Sequence, residues 1–187
     1  MDNTTLTLDQ LRDAGRNVSA ADHPGTIRAY YPFWDTQYRP FLLAAVAALP
    51  REKFDFKPRP EMFTAHEMIV HIAECERHWI HVVVEGGAYE EWVAPAEDPK
   101  QGWMNVLDLP DHASLFAALE KWHRNTQQQL ERPASDLSRR ITWRAPSGRE
   151  HTYTLHWILD HLQEHEIHHR GQLNMYLRMM GIEPPSI

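Results

Sequence analysis

Along most of this chain apolar side chains recur at intervals of three and four, a spacing that predicts helices rather than strands. The last such stretch runs from Thr154 to Met180, about 40 Å of helix at 1.5 Å per residue. At about 100° per residue, Leu155, Ile158, Leu159, Leu162, Leu173, Tyr176, Leu177 and Met180 fall on one stripe, and Gly181 ahead of Pro184 and Pro185 ends it. A second long helix is expected from Thr64 to Gly86, with the stripe Ala65, Met68, Ile72, Cys75, Trp79, Val82 and Val83. Thr64 followed by Glu67 fits a capping box, and Gly86 with Gly87 supplies the stop. Asp111 caps a third helix reaching about Arg132, with Leu115, Phe116, Leu119, Trp122 and Leu130 on its apolar side. The segment Thr26 to Leu49, rich in aromatics and alanine, reads as a fourth, which Pro40 is expected to kink.

Four helices with one apolar stripe each predict an all-α protein, a four-helix bundle. Between Ile141 and Tyr153 a Pro-Ser-Gly turn separates two short β-prone stretches, so a small hairpin is expected before the last helix. A short helix is expected over Leu6 to Arg12. From Ala88 to Pro110 the chain holds three prolines, Trp92 and Trp103 without helical period. Such a segment is either irregular packing or a lid over a pocket.

Composition narrows the class. The length of 187 residues suits a single domain, with residues 1–25 as an N-terminal extension. A net charge of −7 and the lack of any Lys/Arg cluster argue against a nucleic-acid surface. No stretch approaches the roughly 18 apolar residues of a membrane span, and no apolar core of a signal peptide is present, so a soluble cytoplasmic protein is expected. The single cysteine, Cys75, excludes an internal disulfide and a cysteine-based zinc cluster. On the apolar side of its helix it reads as a small buried hydrophobe rather than a nucleophile.

The candidate chemistry lies in the histidines. Six of the 13 fall between His151 and His169. His165 and His169, four apart, project from one side of a helix and can close on one ion. His169 lies within the apolar stripe and His165 at its border, whereas His161 and His168 are expected to face water. A catalytic centre usually needs a third protein ligand, and His71 and His78, both bordering the stripe of the Thr64 helix, qualify equally by position. Three neutral imidazoles leave an ion its full charge, able to acidify water or stabilise a thiolate. The run from His165 to His169 also satisfies H-E-x-x-H, but no further ligand follows in the pattern of zinc peptidases and few strands are expected to align a peptide. Glu166, on the core side, is the candidate catalytic group, as a proton acceptor or as an orienter of a ligand.

The run HLQEHEIHHRGQLNMYLRMMG, especially HxxHHRGQ followed by LRxxG, together with MIVHIAECERHW, resembles the DinB-like (YfiT-like) family of metal-dependent enzymes. The resemblance covers the chain from about residue 30 onward. It implies an up-down-down-up four-helix bundle, often dimeric, with one histidine of the second helix and two of the last holding a divalent ion. Matched residue by residue, these are His71, His165 and His169. The resemblance further implies zinc, nickel or iron as the ion and a low-molecular-weight thiol among the small-molecule substrates. The leading expectation is therefore a metal-dependent hydrolase or thiol transferase that forms a homodimer. The competing ones are a non-catalytic dimeric bundle with a structural or vestigial metal site, and a metal-sequestering protein. Gly171 inside the last helix costs about 1 kcal/mol relative to alanine and points to close helix contact.

Overall fold

The computed structural model describes residues 25–87, 109–145 and 147–186. The short helix expected over Leu6 to Arg12 and nearly all of the Ala88 to Pro110 segment lie outside the described residues. Among them are four α-helices and one two-stranded antiparallel sheet: α1 (Arg39–Ala48), α2 (Ala65–Arg77), α3 (His112–Leu130), β1 (Arg140–Arg144), β2 (Glu150–Thr154) and α4 (Leu155–Met179). The molecule is thus mostly helical, with the hairpin seated just before α4. In the hairpin Ile141 pairs with Tyr153 and Trp143 with His151.

The helix starts follow from local chemistry. At α2 the Thr64 Oγ1 accepts from the Glu67 amide at 3.0 Å, and the Thr64 amide donates to the Glu67 carboxylate at 2.7 Å. Asp111 and Ser114 make the equivalent exchange at α3, and Thr154 Oγ1 accepts from the Trp157 amide at α4. Each satisfies donors that a helix start leaves without partners. The stop of α4 is a Schellman motif: the Ile182 amide donates to the Leu177 carbonyl and the Gly181 amide to that of Arg178, with Gly181 at φ +76°.

Two segments are wound differently from expectation. The Thr26 to Leu49 stretch is not one kinked helix. It comprises a 3-10 turn (Ile27–Tyr30), a wide π turn (Trp34–Tyr38) and then α1, with Pro40 in the first turn of α1. Proline is tolerated there because its missing N–H would lack a helical partner. The Thr64 helix likewise changes to π winding over His78–Val84 before stopping at Gly86, φ +74°. His78, where that winding begins, is buried, 2% exposed.

Helix α2 packs against α3 and α4, and α1 against α4 and more lightly α3. Among the described residues the buried apolar ones form two clusters. One joins Leu42, Val46, Leu49, Met68, Ile69, Leu115, Leu119, Leu173 and Leu177. The other joins Ile27, Trp34, Ile80, Leu130, Ile141, Leu155, Leu159 and Leu162. Along α4 the clusters are separated by residues 163–172, the stretch that carries His165, Glu166 and His169.

Candidate metal centre

His71 comes from the middle of α2, and His165 and His169 from successive turns of α4. One coordinating nitrogen from each can be chosen so that all three lie within 4.8 Å of one another. The ring centroids are 4.7 Å apart for His71 and His165, 5.0 Å for His71 and His169, and 4.3 Å for His165 and His169. His71 Nε2 lies 3.0 Å from His165 Nε2. Two nitrogens at about 2.0–2.1 Å from a tetrahedral ion stand about 3.3 Å apart, so this pair already approaches the edge of a coordination polyhedron. His169 Nδ1 donates to Gln172 Oε1 at 2.7 Å, which leaves Nε2 as the nitrogen with a free lone pair.

All three rings are held in the neutral form, the one that binds metals. Burial, then the neighbouring His169, brings His71 down to about 4. Burial, then His169 and His71, brings His165 down to about 2. His169 is lowered as well, chiefly by burial. The residues therefore fit a divalent ion in number, donor type, spacing and protonation.

Among the described residues the site is open on one side. A cavity of about 250 Å³, lined by Glu61, Met62, Phe63, Met68, His169, Gln172 and Tyr176, reaches His169. Phe63 also lies 5.4 Å, ring to ring, from His71. The other candidate histidines fall elsewhere. His78 packs among Trp79 and Trp143. His168 is exposed, as expected, but His161 is half-buried, its ring flat against Trp157 at 5.1 Å and 7°. Trp157, four residues before it on α4, and Trp79, from the end of the Thr64 helix, cover its ring and account for that difference.

The DinB family model matches residues 28–187, most of the chain and all three of these histidines. The chain belongs to the DinB family. It is 28% identical over 139 residues to the uncharacterized protein YjoA of Bacillus subtilis, covering 71% of this chain and 77% of that one. The crystal structure of that DinB-like protein superposes with a TM-score of 0.57 at 23% identity, over 80% of this chain and 91% of the other. A DinB-like protein from Bacillus cereus gives the same TM-score at 17% identity, over 87% and 97%. These structures establish a shared DinB-like fold.

Glu166 is buried, 3% exposed, but its carboxylate does not join the histidine group. Its Oε2 accepts from Trp34 Nε1 and lies 3.2 Å from Arg39 Nη2. Arg39 in turn pairs at 2.5 Å with Glu76, which also accepts from Thr126 and from His123 Nδ1. His123 Nε2 lies 2.7 Å from Asp35, and Asp35 pairs with Arg28. Burial acts to raise the Glu76 carboxyl, yet Arg39 and His123 hold it down at about 2. Glu166 is raised, burial outweighing Arg39. This network lies behind α4 and was missed in the sequence. Its only local trace is that Glu76 and Glu166 fall on inward faces of their helices.

Proposed function

We propose that the protein is a divalent-metal-dependent enzyme whose ion, zinc, nickel or iron, is held by His71, His165 and His169. The observation that carries this reading is the convergence of three neutral imidazoles from two helices beside an open cavity. Structural zinc sites are closed by four protein ligands, whereas catalytic ones keep a position free, and three ligands beside a cleft match the second pattern. When bound, the ion would lower the proton affinity of a water or a low-molecular-weight thiol, the step a hydrolase or a thiol transferase needs. Gln172 orients His169 by accepting its Nδ1 proton. Met62, Phe63, Met68 and Tyr176 offer an apolar wall to a small-molecule substrate. In this reading Glu166 acts from behind, through Arg39 and Trp34, by fixing the rotation of α4 that presents His165 and His169.

The finer architecture belongs to the same reading: we take the four helices as an up-down-down-up bundle and the protein as cytoplasmic, where a lone thiol stays reduced. Elemental analysis of untagged protein is expected to find one divalent ion per chain, and His169→Ala to remove it without unfolding the protein. Unchanged metal content in that variant would exclude His169 as a ligand, and several ions per chain would favour sequestration.

A further inference from the structure

A second pair of ligand atoms lies one helical turn from the three histidines. Cys75 is four residues beyond His71 on α2, and His161 is four residues before His165 on α4. His71 meets His165, and Cys75 meets His161, so the two helices pass in opposite directions and the same turn of helix separates both pairs. Cys75 Sγ stands 4.0 Å from His161 Nε2. Two indoles flank the His161 ring: Trp157 lies flat on it at 5.1 Å, and Trp79 meets it at 5.4 Å and Trp157 at 5.2 Å.

The separation is compatible with coordination by both side chains. An ion bound at about 2.0 Å from nitrogen and about 2.3 Å from sulfur draws the two to about 3.5 Å when tetrahedral and sets them about 4.3 Å apart when in line. The observed 4.0 Å lies nearer the in-line limit. Among the described residues Cys75 belongs to no group of three or more close ligands, so the site offers one sulfur and one nitrogen. A divalent ion that wants four ligands is poorly served by such a pair. A soft d10 cation of low coordination number is well served, because thiolate is its preferred partner.

We propose that Cys75 and His161 form a two-coordinate site for a soft monovalent cation, copper(I) or silver(I), separate from the three-histidine centre and one turn away from it. Binding exchanges the thiol proton, released to solvent, for the cation. No electron moves. The adjacent indoles report occupancy, since a soft cation bound beside them quenches their emission. The proposal stands whether or not the three histidines hold an ion.

The test is titration of the full-length protein with silver nitrate, and with copper(I) under anaerobic conditions, each with and without one equivalent of zinc. One equivalent is expected to quench tryptophan emission and to protect Cys75 from a thiol-reactive dye, equally in both zinc conditions. Cys75→Ser and His161→Ala are each expected to weaken binding at least tenfold, while His169→Ala leaves it unchanged. Unaltered binding in Cys75→Ser or in His161→Ala would overturn the proposal, as would loss of silver binding in His169→Ala, which would move the cation to the histidine centre. X-ray absorption of the silver-loaded unmutated protein keeps the test independent of variant folding. One sulfur and one imidazole nitrogen in the first shell are expected, and a shell without sulfur would refute the site.

Discussion

Arg39 is the residue on which most of the buried charge depends. It is 5% exposed and lies between Glu76 and Glu166, both also buried. Removing the cation of a buried pair leaves uncompensated charge, at a cost of about 3–5 kcal/mol. Arg39→Met keeps the volume but not the charge, and it is expected to lose about that much in urea denaturation. The histidines make a second prediction. His71 and His165 are depressed from 6.5 to about 4 and about 2, chiefly by burial. Above pH 6.5 both are neutral whether folded or unfolded. Below it the unfolded chain takes up protons that the folded one refuses, so the metal-free protein is expected to lose stability as pH falls from 6.5 toward 4. His123 has the opposite sign: although burial lowers it, Glu76 raises it further, and its contribution is complete below 6.5 and lost as pH rises through its folded value. Denaturation midpoints measured in chelator across this range would show both trends. Arg39 illustrates why part of the site was illegible. Nothing around it in sequence names Glu76 or Glu166, 37 and 127 positions away, and an arginine inside an alanine-rich stretch reads as an exposed one.

Among the elements, the helix ends were the most readable, because caps are short-range chemistry. Thr64 with Glu67, Asp111 and Thr154 each sit within three residues of the amides they serve. Thr64→Ala is expected to lower stability by about 1 kcal/mol, read as a fall in the thermal midpoint. The π turns at Trp34–Tyr38 and His78–Val84 were not readable. A periodicity argument assumes one winding throughout, and each extra residue per turn rotates everything after it. Position alone left His71 and His78 level because seven residues of α winding return to nearly the same face. Gly171 inside α4 predicts a close helix contact. A Cβ built there meets nothing within 4 Å among the described residues, so no such contact exists within the described part of the chain.

For the whole molecule, the helical class, the hairpin and the DinB resemblance followed from periodicity, turn chemistry and the last-helix run. Gly171, Met175 and Met179 form an exposed strip on α4, the two methionines 52% and 59% exposed. We propose this strip as the face by which two copies would pair, the space at Gly171 being open among the described residues. Light scattering is expected to give twice the 21.9 kDa chain mass, and Met175→Glu with Met179→Glu to halve it. The division of the apolar interior at residues 163–172 of α4 bears on how the molecule comes apart. Each end has its own cluster, so either can fray as a separate cooperative unit. Whatever ties α2 to α4 at the seam then decides whether the two halves melt as one body or in succession.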